Sequence, residues 1–102
     1  MNDLENRIVN SMSEKTREEW IGFGLNPSDI LTHVRTTIFV LDWLEKNSDL
    51  KLSEYNIFEY YKDATPLAMH ESPFDTAYDL ACLPHKERTK YFSIMMKDIT
   101  NI

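Results

Sequence analysis

Carboxylates that recur four residues apart in the second half of this chain are the residues that most suggest a site. Residues 42–79 hold nine Asp and Glu residues and three Lys. The sets at this spacing are Glu59 with Asp63, and Glu71 with Asp75 and Asp79. Side chains four apart are neighbours on a helix, where like charges cost about 0.2–0.5 kcal/mol per pair. The pattern indicates an acidic helical surface available to a positively charged partner.

The chemistry that such carboxylates offer is charge recognition. Carboxylates at this spacing stand about 6 Å apart along the helix axis, which is comparable with the spacing of successive phosphates in a nucleic-acid strand. A rigid helical protein can therefore imitate phosphates and occupy a basic groove, and a nearby tyrosine adds the aromatic surface common at interfaces. The alternative is an ordinary solvated surface that only keeps the protein in solution. The predicted partner-binding residues are Glu59, Tyr60, Asp63, Glu71, Asp75 and Asp79.

Paired carboxylates can also act as general acid and base, but the sequence argues against catalysis. The acids between positions 59 and 79 fall opposite the apolar stripes of their helices, whereas a general acid needs a desolvated site that raises its pKa. Glycine occurs only at positions 22 and 24, so the chain has neither a phosphate-binding loop nor a Gly-x-Ser-x-Gly nucleophile turn. We predict that the protein is not an enzyme and uses no cofactor.

Metal binding is the alternative chemistry that the sequence leaves open. His70, Cys82 and His85 are ligands of the types that zinc prefers. They lack the paired spacing that makes structural zinc motifs specific, and a buried cysteine beside a histidine at a helix start accounts for the same residues. The leading interpretation therefore assigns no metal site. A small metal-dependent enzyme or metal-binding protein that uses these three residues is kept as an alternative.

Composition sets the class of protein. With 102 residues, of which 42% are hydrophobic, we predict one globular domain over 1–102. The net charge of −6 disfavours direct nucleic-acid binding. Cys82 is the only cysteine, so a reducing cytoplasm is the expected location. The longest stretch without a charge, Trp20–Ser28, is too short to span a membrane.

The elements that position these residues are predicted to be helices, because two glycines are too few for the turns of an all-β fold. Asn26-Pro27 followed by Asp29 is the clearest helix start. From there an apolar face widens to almost all sides, which predicts a central buried helix over about 27–46. The β-branched residues near 36–41 leave an α+β alternative with a strand in that segment.

Shorter helices are predicted around this central one. Their ranges are about 3–21 with a second helix start at Ser13, about 53–63, from 73 to a break at Leu83-Pro84, and from there to about 99. In the helix at 53–63, apolar residues share one side and leave Glu59 and Asp63 opposite. The sequence thus predicts an all-α fold, a compact bundle of five to six short helices around a central buried helix.

These features together predict a small acidic protein-interaction module, a regulator or inhibitor that binds a basic surface of another protein. In size, acidity and lack of catalytic motifs, the chain resembles small accessory proteins of phages and mobile elements that bind host enzymes. The expected partner is a protein, for example a nucleic-acid-binding protein, rather than nucleic acid or a membrane. A homodimer or larger homo-oligomeric structural protein is a further alternative, because aromatic and methionine residues are numerous.

Overall fold

Helices alone build the fold in the part of the chain that the structure describes. The computed structural model describes residues 3–48, 50–51, 54–65 and 72–100, without the side chains of residues 54, 55 and 85. These residues form six helices and no strand, namely α1 (Asp3–Ser11), α2 (Glu14–Gly22), α3 (Pro27–Asn47), α4 (Glu54–Lys62), α5 (Pro73–Leu80) and α6 (His85–Thr100). The predicted all-α bundle is confirmed. None of the described helices is both long and apolar enough to cross a membrane.

α3 is the central helix and begins at a capping box. The Asn26 side chain accepts a hydrogen bond from the Asp29 N–H (3.0 Å), and the Asp29 carboxylate accepts one from the Asn26 N–H (3.1 Å). Pro27 occupies the first turn, where a missing N–H removes no helical hydrogen bond. Seven residues of α3 are buried, and the helix packs against α1 and α5. The central buried helix predicted at about 27–46 is therefore confirmed.

The alternative strand near 36–41 is wrong, because the whole segment belongs to α3. Its β-branched residues fit a helix here since Thr37 donates its hydroxyl to the His33 carbonyl one turn earlier (2.9 Å). Thr37 and its neighbour Ile38 are buried, so packing against adjacent helices outweighs the intrinsic preference for a strand. Phe39 lies on the other side and is 47% exposed, which makes the apolar face of α3 narrower than the sequence suggests.

Ser13 divides the first predicted helix and caps α2. Its hydroxyl oxygen accepts a hydrogen bond from the Thr16 N–H (3.1 Å). The Ser13 N–H and the Thr16 hydroxyl both donate to the Lys62 carbonyl at the end of α4, at 3.3 and 3.1 Å. The last carbonyls of a helix lack partners within that helix. The break at Ser13 therefore places the start of α2 where its donors satisfy the Lys62 carbonyl.

α6 packs against α5 and against the C-terminal half of α3. Trp43 of α3 lies edge-on to Tyr91, with ring centroids 6.2 Å apart, and donates its indole N–H to Asp98 (3.2 Å). Met95 lies between Tyr91 and Asp98 in the sequence of α6 and is fully buried. Phe92, one residue after Tyr91, is 42% exposed. α6 therefore buries one stripe in the bundle and leaves an aromatic flank at the surface beside α5.

Candidate functional site

The outer side of α4 presents two of the predicted carboxylates to solvent. Glu59 and Asp63 are exposed, whereas Ile57 and Tyr61 on the opposite side of the helix are buried. Neither carboxylate forms a hydrogen bond or an ion pair with the described residues. We call Glu59 and Asp63 the α4 carboxylate pair. Because no described residue compensates their charges, both are available to a partner.

Buried hydrogen bonds hold the inner side of α4 against α3. The Tyr61 hydroxyl donates to Thr37 Oγ1 and lies next to His33 Nδ1, each at 2.9 Å. The Thr37 hydroxyl donates its proton to the His33 carbonyl, so it acts as the acceptor for Tyr61. Because the Tyr61 proton is used in that bond, the Tyr61 oxygen is the acceptor for His33 Nδ1–H. Burial raises the pKa of the Tyr61 phenol, and the hydrogen bond with Thr37 opposes that rise only in part. Each hydroxyl in this network has a partner.

Trp20 of α2 holds the segment that follows α4. Its side chain is fully buried, and its indole N–H donates to the Ala64 carbonyl (3.0 Å). The Lys62 carbonyl is likewise bonded to the start of α2. The α4 carboxylate pair is therefore carried on a helix that is anchored both on its inner side and at its C-terminal end.

Tyr60, the predicted aromatic contact, lies half-buried next to Glu59 in the sequence of α4. Its ring packs edge-on against the ring of Tyr61, with centroids 5.3 Å apart. The side chain thus belongs partly to the core, and its remaining surface borders the α4 carboxylate pair.

The described carboxylates of α5 are engaged within the protein. Asp75 accepts a hydrogen bond from the Ser72 hydroxyl (3.1 Å), and the Ser72 oxygen accepts one from the Asp75 N–H (3.2 Å), so the two residues cap α5. Asp79 forms an ion pair with Arg88 of α6. Glu71 lies outside the described residues. Asp75 and Asp79 of α5 therefore have partners inside the protein, whereas the α4 carboxylate pair has none among the described residues.

A cleft of about 300 Å³ lies between α5 and α6, and we call it the α5–α6 cleft. Its lining residues are Ser72, Phe74, Asp75, Tyr78, Arg88, Thr89 and Phe92. Tyr78 is only 2% exposed, and its hydroxyl and the Arg88 Nε are both buried without a hydrogen-bond partner among the described residues. Burial raises the pKa of the Tyr78 phenol, and the Asp75 carboxylate raises it further. Tyr78 and Asp75 both belong to the lining of this cleft.

Sequence reasoning missed this cleft. Tyr78 belongs by its spacing to the apolar face of its helix, and Arg88 belongs to a segment of mixed charge, so neither pattern signals a cavity. The break at Leu83-Pro84 was the useful signal, because a short connection between two helices makes them antiparallel neighbours.

The metal alternative rests on residues that are mostly outside the described part of the chain. Cys82 is exposed and has a left-handed backbone (φ 57°) between α5 and α6. His70 and the side chain of His85 are not among the described residues. Within the described residues, no group of three side chains is arranged to hold a metal ion.

Comparisons with protein-family models, with curated protein sequences and with solved structures found no match. Function is therefore inferred from the surfaces of this chain alone.

Proposed function

We propose that this chain is a small acidic protein-interaction module, a regulator or inhibitor that binds a basic surface of another protein. The observation that carries the proposal is the α4 carboxylate pair, Glu59 and Asp63, which is exposed and uncompensated by the described residues. Like charges one turn apart destabilise a helix, and these two carboxylates form no compensating ion pair with the described residues. A cationic partner converts the same charges into a favourable interaction.

The anchoring of α4 supports binding. Charges carried on a fixed helix lose less conformational entropy on association than charges on a loop. Tyr61 and Trp20 supply that fixation through their buried hydrogen bonds. Tyr60 adds accessible aromatic surface at the border of the pair. Acidic side chains at such a surface act chiefly by steering a basic partner and raising the association rate.

Binding fits these residues better than catalysis, because both carboxylates face bulk solvent and no described group excludes water from them. A cytoplasmic protein with a basic surface, such as a nucleic-acid-binding protein, complements the net charge of −6. Imitation of nucleic-acid phosphates is a narrower form of the proposal. It depends on the α4 carboxylate pair, because Asp79 is already paired with Arg88.

Two double variants of the whole chain test the proposal. Glu59→Gln with Asp63→Asn removes the charges of the α4 carboxylate pair and keeps the side-chain shapes. Glu18→Gln with Glu19→Gln removes two exposed charges from α2 and is the matched control. Partners are captured from cells of the natural source, and the Kd of the purified partner is measured for each protein. We expect the α4 variant to bind about threefold to tenfold more weakly than the wild type, and the control to bind unchanged.

Three results would count against this assignment. Equal weakening in both variants would show that net charge, and not the surface of α4, determines binding. Equal affinity of the wild type and the α4 variant would overturn the proposal, as would the capture of no partner that responds to these charges.

A further inference from the structure

The outer side of α6 carries a row of exposed lysines. Lys86, Lys90 and Lys97 are exposed, and helical spacing places them opposite Met95, which is fully buried. We call these three lysines the α6 lysine row. None of them forms an ion pair with the described residues, although the Lys90 ammonium lies 5.7 Å from the centroid of the Tyr91 ring. An aromatic ring carries no net charge, so the row keeps its positive charge for an anionic surface.

The other charged groups of α6 do not neutralise this row. Arg88 forms an ion pair with α5, Asp98 accepts a hydrogen bond from α3, and Glu87 is half-buried. Residues 84–102 hold four Lys and Arg and two acids, a net of +2, whereas residues 1–83 hold seven and fifteen, a net of −8. The α6 lysine row is therefore a positive surface on a protein that is otherwise acidic.

The α6 lysine row and the α4 carboxylate pair are complementary in charge and similar in layout. The two carboxylates are four residues apart, as are the first two lysines, which corresponds to about 6 Å along a helix axis. Each surface also has an apolar neighbour. Ile94, between Lys90 and Lys97 in the sequence, is 42% exposed, and the half-buried Tyr60 borders the carboxylates. Contact between the two surfaces would cover apolar area as well as join opposite charges.

We propose that the α6 lysine row of one copy of this chain binds the α4 carboxylate pair of a second copy. Every copy supplies both surfaces, and within one copy no ion pair joins α4 to α6 among the described residues. The net charge of −6 disfavours nucleic acid and anionic membranes as occupants of the row. The contact is head-to-tail because it joins two different surfaces, so an open pair of copies keeps one row and one carboxylate pair for further copies.

The net charge of each copy limits the strength of this contact. At about 100 mM salt, repulsion between charges more than about 10 Å apart is largely screened, whereas opposite charges in contact still attract. Exposed ion pairs are individually weak, so we expect a Kd of about 0.1–1 mM for self-association. Copies at such concentrations cover one another's α4 carboxylate pair and compete with a partner protein. This competition rests on the proposed function, whereas the self-association does not.

Charge reversal on each surface tests the inference. Lys86→Glu with Lys90→Glu reverses the row, and Glu59→Lys with Asp63→Lys reverses the carboxylate pair. The rotational correlation time of the isotope-labelled whole chain is measured by NMR relaxation from about 0.02 to 2 mM protein at about 100 mM NaCl. We expect the wild type to associate and each variant alone to associate at least about tenfold more weakly.

A mixture of the two variants provides the decisive result. The labelled row variant should tumble more slowly when the unlabelled carboxylate variant is added, because the reversed row meets a reversed carboxylate pair. The matched control is Lys15→Glu with Lys51→Glu, which makes the same change of net charge at exposed positions elsewhere. Its Kd for self-association should stay within about threefold of the wild-type value.

The inference is overturned if the wild type remains monomeric up to about 2 mM, or if the control loses association as fully as the row variant. It is also overturned if the two variants do not associate although both give the dispersed amide spectra of folded proteins. A monomeric wild type whose α4 carboxylate pair still binds a partner would refute this inference alone. Self-association without any captured partner would instead refute only the proposed function.

Discussion

Replacement of Tyr61 by Phe tests most sharply how α4 is held in the bundle. The side chain is fully buried, and its hydroxyl forms hydrogen bonds of 2.9 Å with Thr37 Oγ1 and with His33 Nδ1. Phe keeps the ring that packs near Trp20 and His33 and removes only the oxygen. The substitution therefore separates the contribution of the hydrogen bonds from that of ring packing.

The size of the effect follows from what each partner of Tyr61 retains. Thr37 still donates to the His33 carbonyl, whereas His33 Nδ1–H loses the phenol oxygen as its acceptor. Two hydrogen bonds at about 1 kcal/mol each give a loss of about 2 kcal/mol in the free energy of unfolding. For a domain of this size, such a loss lowers Tm by about 8–16 °C.

Urea denaturation followed by circular dichroism measures this loss, provided that the m values of the two proteins agree. Tyr91→Phe is the matched control, because the half-buried Tyr91 hydroxyl has no hydrogen bond with the described residues. We expect the control to change the free energy of unfolding by less than about 0.5 kcal/mol. If Tyr61→Phe also stays within about 0.5 kcal/mol of the wild type, the buried network does not hold α4 as described.

Two further predictions concern the buried side chains of Trp20 and of the tyrosines Tyr61 and Tyr78. Trp20→Phe removes the hydrogen bond to the Ala64 carbonyl and leaves a small cavity, so we expect a loss of about 2–3 kcal/mol in urea denaturation; a loss below about 0.5 kcal/mol would contradict this. Burial raises the folded-state pKa of Tyr61 and of Tyr78 above that of an unfolded tyrosine. The unfolded chain therefore loses these protons first, so stability is complete below about pH 10 and falls as the pH rises further, by up to about 1.4 kcal/mol per pH unit for Tyr61. Thermal unfolding between about pH 9 and 11 should show a shallower decline for Tyr61→Phe, and equal declines would refute the assignment.

Local sequence signals were sufficient to predict the helix starts and the two sides of α4. Asn26-Pro27 and Ser72-Pro73 mark the starts of α3 and α5, because a cap depends only on residues within one turn. Glu59 and Asp63 are predicted on the outer side of α4 because helical periodicity separates them from the apolar residues. These features depend on neighbours in the sequence, so one sequence is enough to reveal them.

Contacts between distant residues could not be predicted in this way. Ser13 is a visible cap, but no sequence pattern identifies the Lys62 carbonyl as the partner of its N–H. Asp79 meets Arg88 because the chain reverses near Cys82, where the backbone adopts φ 57°. That reversal makes Asp79 one half of an ion pair, and it brings α6 beside Tyr78 to form the α5–α6 cleft.

Charge recognition by the α4 carboxylate pair is the central claim, and the salt dependence of partner affinity tests it most directly. The Kd of the purified partner is measured for the wild type and for Glu59→Gln with Asp63→Asn, from about 50 to 500 mM NaCl. We predict that the wild-type affinity falls by about tenfold or more over this range and that the variant shows a much weaker dependence, because exposed charges are screened by salt. A wild-type affinity that barely changes with salt, or an equal dependence in the two proteins, would contradict the claim.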